Sequence, residues 1–376
     1  MRRAWAALAA AAALGCSAET VGLTPLAWQR VAGSPSGTDG SVLGLGTAGA
    51  FDERGTFTVS AFREAGTTWL YYGGADASGD CPGINSARWR PGLARSTDGV
   101  AFERVAGDGP GGALLDVGAP GRFDSYLAYR PFVLHDGSIW RMWYNGSDHP
   151  FNDCHAPAGT NPLALDRRIG YAESADGVHW TKLYDGDGPD GSVLPLSATG
   201  DIDAQQVGYI WVLKDGDQYR MYYSANDVTN TWRVALAVSS DARHWTKVRG
   251  KTAGGAVLDV GTAGSIDFAC AYQPTVVKEQ PDLWRMWYRA CQAASPLGGP
   301  AGGVLGYAES NDGITWVKIP AGAAGGAALV AGAAGRFDAG GLTTPAAFLD
   351  GDVWNLYYAG FDATGRFMPG LARAHR

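Results

Sequence analysis

Five aspartates recur at one place in a repeating sequence: Asp52, Asp124, Asp203, Asp267 and Asp338. Each follows Phe or Ile, and each lies a few residues ahead of an extended segment. Carboxylates brought together can divide acid and base work when the surroundings keep one protonated and another ionised. This is the one acidic set whose spacing lets it converge near a common axis. Asp201, present in the third unit alone, could raise a neighbour's pKa by like-charge repulsion. The recurrence also suits a plainer task, because an aspartate in every unit can cap a connecting turn by accepting backbone N–H bonds.

Residues that break the repeat are better placed to contact a ligand. Arg130 and Gln273 open extended segments as bulky polar groups, with Tyr126, Tyr129, Tyr209, Phe268 and Tyr272 close by in sequence and Trp89 and Trp232 in loops. Aromatic faces stack on apolar ring faces, while Arg and Gln can bind hydroxyls or a carboxylate. Other constellations are weaker. Asp185-Gly186-Asp187-Gly188-Pro189-Asp190-Gly191 has the look of a calcium loop, but its counterparts in other units lack the acidic set, so a plain turn is expected. His149 and His155 with Asp148 and Asp153 match no zinc spacing. There is no Gly-x-Ser-x-Gly and no phosphate loop. The expectation is no metal and no cofactor.

The elements that must carry these residues come from a unit repeated five times. Its centre is an alternating aromatic segment: Trp69 to Tyr72, Trp140 to Tyr144, Tyr219 to Tyr223, Trp284 to Tyr288 and Trp354 to Tyr358, with leading residues 71, 79, 65 and 70 apart. Alternation of this kind is the period of a half-buried strand. A second signature follows as Gly92-Leu93-Ala94-Arg95-Ser96, Gly170-Tyr171-Ala172-Glu173-Ser174, Leu236-Ala237-Val238-Ser239 and Gly306-Tyr307-Ala308-Glu309-Ser310. Then come a tight turn, Asp-Gly in three units and Asp241-Ala242 in another, and an outer strand marked by Phe102, Trp180, Trp245 or Trp316. Four antiparallel strands repeated radially predict an all-β fold, a five-bladed β-propeller. The last unit, ending in Pro369-Gly370-Leu371-Ala372-Arg373, stops before its outer strand. Trp28-Gln29-Arg30-Val31-Ala32-Gly33 matches Phe102 to Gly107 and predicts an N-terminal strand that closes the ring.

The first residues call for separate treatment. Met1-Arg2-Arg3, an alanine-rich run from Ala4 to Leu14 and Gly15-Cys16 have the layout of an export signal ending in a lipobox. The predicted organisation is a leader over 1–16 with Cys16 lipidated, a linker over 17–25 and the propeller over 26–376. That makes the chain an exported bacterial lipoprotein, periplasmic or at the cell surface, touching membrane only through its lipid. The net charge is −7 and turns more negative once Arg2 and Arg3 leave, which argues against nucleic acid and anionic lipid as partners. A monomer is expected. Beyond Cys16, the even set Cys81, Cys154, Cys270 and Cys291 suggests two disulfides.

Over residues 26–376 the pattern resembles the five-bladed glycoside hydrolases of the arabinanase, β-xylosidase, invertase and levansucrase type. The resemblance rests on blade number, strand closure, Trp-x-Met-x-Tyr and Gly-Tyr-Ala-x-Ser-x-Asp-Gly-x-x-Trp. It implies a glycan over the axis, on the face where inner strands begin and where loops 73–91, 145–168, 224–233, 289–304 and 359–369 lie. On that layout Cys81 is expected to bridge Cys154, and Cys270 to bridge Cys291. Blade order would make Asp52 the base, Asp124 the orienting group and Asp203 the acid. Arg130, Gln273, Tyr129, Tyr209, Tyr272, Trp89, Asp267 and Asp338 would hold substrate. At the position where many of those enzymes carry an Asp before a strand proline, this chain has Thr58, Arg130, Tyr209, Gln273 and Thr344, none of them a carboxylate. The expectation is therefore a surface-anchored glycoside hydrolase-like enzyme, with two alternatives: a non-catalytic lipoprotein that binds glycan or protein, and a structural scaffold.

Overall fold

The structure, a computed structural model, describes residues 26–33, 40–78, 87–150, 167–252, 254–292 and 303–376. The leader with Cys16, and Cys81 and Cys154, lie outside the described residues. Among those described there are twenty strands and no α-helix.

Four antiparallel meanders follow one another, and a fifth draws on both ends of the chain. The first is β2 (Gly55–Glu64), β3 (Thr67–Ala75), β4 (Trp89–Ser96) and β5 (Glu103–Val105). The second is β6 (Leu127–Asp136), β7 (Ile139–Ser147), β8 (Arg168–Ser174) and β9 (Trp180–Leu183). The third is β10 (Gln206–Asp215), β11 (Gln218–Asn226), β12 (Trp232–Ser239) and β13 (Thr246–Val248). The fourth is β14 (Cys270–Gln280), β15 (Leu283–Cys291), β16 (Val304–Ser310) and β17 (Val317–Lys318), joined to the third by one parallel bridge between Trp232 and Cys270. The fifth is β18 (Gly341–Asp350), β19 (Val353–Phe361) and β20 (Phe367–His375), with β1 (Gln29–Val31) as its outer strand. β1 pairs Val31 with Leu371 and Arg30 with Ala372, the register in which β5 pairs Val105 with Leu93 and Arg104 with Ala94.

The aromatic alternation fixes how neighbouring meanders meet. At each of the five seams an aromatic of the second strand stands edge-on to the aromatic opening the next outer strand. The pairs are Tyr71–Trp180, Trp143–Trp245, Tyr222–Trp316, Trp287–Trp28 and Tyr357–Phe102, with centroids 5.8 to 6.3 Å apart. Such pairs contribute about 0.5–1.5 kcal/mol each beyond the area they bury. Four of the same rings also donate to the tight turn of the neighbour: Tyr71 to the Gly177 carbonyl at 2.9 Å, Trp143 to Ala242 at 3.1 Å, Tyr222 to Gly313 at 2.6 Å and Tyr357 to Gly99 at 2.6 Å. Those turn residues are left-handed, with φ near +75° at Gly177 and Ala242, which is why glycine is favoured there and alanine tolerated once.

Polar pairs cross the seams at the far end of the inner strands. Glu64 meets His135, Asp136 meets Lys214, Asp215 meets Lys278, Glu279 meets Arg376 and Asp350 meets Arg63. They rim a funnel of about 650 Å³ whose wall is apolar, with Ala61, Phe132, Trp211, Val276 and Phe348 from the five inner strands.

Candidate functional site

The recurring aspartates come first, because their surroundings are unambiguous. Each is buried and grips a tyrosine and a cation of its own meander. Asp52 accepts from Tyr72 at 2.9 Å and pairs with Arg104 at 2.7 Å. Asp124 accepts from Tyr144 at 2.8 Å and pairs with Lys182 at 2.6 Å. Asp203 does so with Tyr223 and Lys247, Asp267 with Tyr288 and Lys318, and Asp338 with Tyr358 and Arg30. The tyrosine comes from the second strand and the cation from the outer strand. The aspartate thus ties the connection entering a meander to two of its strands. The phenols respond as buried donors to a carboxylate should: burial first, then the aspartate's charge, push Tyr72, Tyr144 and Tyr223 well above the ordinary phenol range.

These contacts correct two expectations. The aspartates act on side chains instead of capping turns through backbone N–H groups. Asp52, Asp124 and Asp203 are spent in separate clasps and are not gathered into an acid–base set; Asp267 and Asp338 are held in the same way. The carboxylates of the calcium-like loop are likewise taken up by protein donors, Asp185 by Arg243 and Asp187 by the backbone N–H of Trp245 in the third meander, and Asp190 by the backbone N–H of Ser192. Among the described residues no cluster of His, Cys, Asp and Glu could hold a metal ion.

The structure gathers a different group. Every inner strand bulges near its start: between Thr58 and Ser60, Tyr129 and Phe132, Gly208 and Trp211, Tyr272 and Thr275, and Thr343 and Ala346. Four residues in these bulges are left-handed non-glycines, with φ of 54° at Arg130, 50° at Tyr209, 55° at Gln273 and 42° at Thr344. Such backbones cost of order 1–3 kcal/mol each and cluster where function demands them. A bulge of this kind re-aims the side chains it carries. Neighbouring meanders brace it: Asn145 Oδ1 accepts from the Tyr209 N–H at 3.0 Å, and Ser224 Oγ from the Gln273 N–H at 2.8 Å.

Three guanidinium groups meet there. Arg130 lies over the Tyr209 ring at 3.8 Å and the Phe57 ring at 4.3 Å. Arg167 lies 5.4 Å from both Tyr209 and Trp232, and Arg289 lies 5.4 Å from Tyr272. Two aromatic walls flank them. One holds Phe57, Trp89 and Tyr129 with Phe367 against it; the other holds Tyr209, Trp232 and Tyr272 around the Cys270–Cys291 disulfide. That disulfide joins directly opposed residues of β14 and β15, with Cα atoms 5.1 Å apart, as expected. Gln273 Oε1 accepts from Thr343 Oγ1 and from the Thr344 N–H, and Thr343 Oγ1 accepts from Arg289 Nη1 at 2.9 Å. Burial lowers the pKa of Arg130 and Arg289, whose titratable neighbours are tyrosines and, for Arg130, another guanidinium. Burial alone would raise the Tyr209 phenol, but Arg130, Arg167 and Arg289 outweigh it and hold the group below its ordinary value.

So Arg130, Gln273, Tyr129, Tyr209, Tyr272 and Trp89 fall together, as does Trp232. Phe268 instead lies half-exposed to solvent, and Tyr126 is half-buried beside Arg88. Asn145, Ser224 and Arg289 were missed. Their signal was present: each directly follows the repeated second-strand tyrosine, at a position that is Gly73, Asn145, Ser224, Arg289 and Ala359 in the five units.

No protein-family profile matches the chain. It is 29% identical over 232 residues to an uncharacterized protein of Mycobacterium tuberculosis strain H37Rv, covering 61% of this chain and 67% of that protein. It is 31% identical over 196 residues to an uncharacterized protein of strain CDC 1551, covering 51% of this chain and 58% of that one. Among solved structures it resembles a glycoside hydrolase with a TM-score of 0.63 at 16% identity, covering 89% and 91% of the two chains. It also resembles a structure from the GH130 family, described as mannoside phosphorylases that include glycoside hydrolases targeting β-1,2 mannosidic linkages in Candida mannan. That TM-score is 0.62 at 16% identity, covering 94% and 97%. A β-1,2-mannobiose phosphorylase from Listeria innocua gives 0.58 at 14%, covering 86% and 90%. At these identities the likeness is one of fold: the chain has an all-β, glycoside hydrolase-like architecture.

Proposed function

We propose that the chain is a five-bladed β-propeller, closed by β1, that binds a glycan over the axial end of its inner strands. The observation that carries this is the ring of strained bulges presenting Arg130, Tyr209, Gln273 and Thr344 between two aromatic walls. Polar groups fixed in orientation beside ring-shaped apolar faces are what saccharide recognition needs. The repeated carboxylates are committed to clasps, so the described residues support binding in preference to cleavage.

Hydrolysis or phosphorolysis is the second reading, favoured by the fold shared with glycoside hydrolases and phosphorylases. A glycan array followed by turnover assays on every bound glycan separates the two. Binding without product is the expected result, product formation would establish the enzyme, and an array with no bound glycan would overturn both. Export and anchoring at Cys16 belong to the same proposal; fatty-acid labelling of cells, lost in Cys16→Ser, tests them.

A further inference from the structure

The axial cluster holds more positive charge than the protein uses. Arg289 is 4% exposed and Gln273 2%. Arg289 Nη1 is anchored on Thr343 Oγ1, while its Nε and Nη2 have no hydrogen-bond partner. Those two N–H groups lie side by side on one edge of the guanidinium, the fork that matches two coplanar oxygens. Arg130 Nε and Nη1 and Thr344 Oγ1 are also buried without a partner. A buried charged donor left unmet costs several kcal/mol, so a fold that keeps several at one place has a use for them.

We propose, building on the glycan reading above, that this site recognises the carboxylate of an acidic saccharide, a uronic acid residue with its oxyanion on the Arg289 fork and Arg130. An oxyanion is the ligand that meets these donors, because no neutral hydroxyl can satisfy a two-pronged guanidinium while supplying the missing charge. Thr343 and Gln273 set the plane of the fork by holding Nη1. Arg130 is fixed between Phe57 and Tyr209, which leaves its edge, not its face, for the anion. Free inorganic phosphate offers the same oxygen chemistry from another source. The glycan reading favours the saccharide, and the titration below separates the two sources.

The test is calorimetric titration of the purified protein with hexuronate oligosaccharides, their methyl esters and inorganic phosphate. A site built around a charged hydrogen bond rejects the analogue that cannot make it, so the acid should bind at least about tenfold more tightly than its ester. In Arg289→Gln the acid-to-ester ratio should collapse towards one; if that variant does not fold, the comparison on the unaltered protein decides alone. Equal affinity for acid and ester would overturn this inference and leave the glycan reading standing. Binding of phosphate with no binding of hexuronate would overturn the carboxylate assignment, as would binding of nothing, while the glycan reading falls only if the array is also empty.

Discussion

Arg30, in the strand nearest the N-terminus, pairs at 2.7 Å with Asp338, 308 residues away in the fifth meander. Asp338 is fully buried and also takes the Tyr358 hydroxyl at 2.9 Å and Arg336 at 3.2 Å. The bond adds a side-chain tie to the three residue pairs that β1 makes with β20. Arg30→Ala removes one partner of a buried carboxylate, and a loss of roughly 3 kcal/mol in chemical denaturation is expected. Arg30→Lys should recover most of it, because Lys182, Lys247 and Lys318 fill the equivalent place in three other clasps. An unaltered denaturation midpoint in Arg30→Ala would remove this contact from the account of closure.

The five clasps predict a shared phenotype for their aspartates. Asp124→Asn and Asp267→Asn each lose the charge opposite a partly buried lysine, so both should lose about 2–4 kcal/mol of stability. Glycan affinity measured well below the melting transition should not change in either. A variant at Asp124 that kept full stability but lost ligand turnover would return this residue to a catalytic role.

Alkaline pH should separate the clasp tyrosines from Tyr209. Tyr72, Tyr144 and Tyr223 have folded-state values raised above the unfolded phenol's 10.0 by burial and by their aspartates. Their contribution is complete below about pH 10 and is lost as pH climbs towards the folded values, because the unfolded chain ionises first. Tyr209 runs the other way: its depressed value adds stability that grows as pH rises through it and is complete only above about pH 10. Ultraviolet difference titration should therefore show one early phenol, then a large late step coinciding with unfolding. Arg289→Gln should move the early phenol upward; an early step that stays put would place the low-pKa phenol elsewhere.

Much of this architecture was legible from local pattern. The match of Trp28 to Gly33 with Phe102 to Gly107 pointed to the β1 register, since the basic residue at the centre meets the equivalent carboxylate in each meander, Arg30 on Asp338 and Arg104 on Asp52. The role of the aspartates was harder to read. Their partners lie about twenty residues on, in the second strand, and more than forty residues away on the outer strand, so turn chemistry alone suggested caps. The basic residue recurring at Arg104, Lys182, Lys247, Lys318 and Arg30 was the missed clue. At the axial end, Arg130 and Gln273 stood out because they break the repeat. Arg289 did not, because it sits inside an aromatic strand whose neighbours repeat faithfully.

The Cys270–Cys291 bridge gives the remaining prediction, one that joins stability to the site. It closes a separation of 21 residues and sits in the cluster with Tyr209, Trp232 and Tyr272, two register pairs from Tyr272–Arg289. Loop closure of this length corresponds to about 3 kcal/mol, so a Cys270→Ala, Cys291→Ala double variant should unfold at lower denaturant. The local effect should be larger than the global one suggests. Without the bridge, the ends of β14 and β15 can fray, and Arg289 loses the backbone that fixes its fork. Ligand affinity should then fall at temperatures where the rest of the protein remains folded, and hydrogen exchange should rise first at Ala271, Tyr272 and Ala290. If exchange there matched that of the unaltered protein while overall stability dropped, the bridge would be acting on the unfolded chain alone and the axial cluster would be held by its own packing.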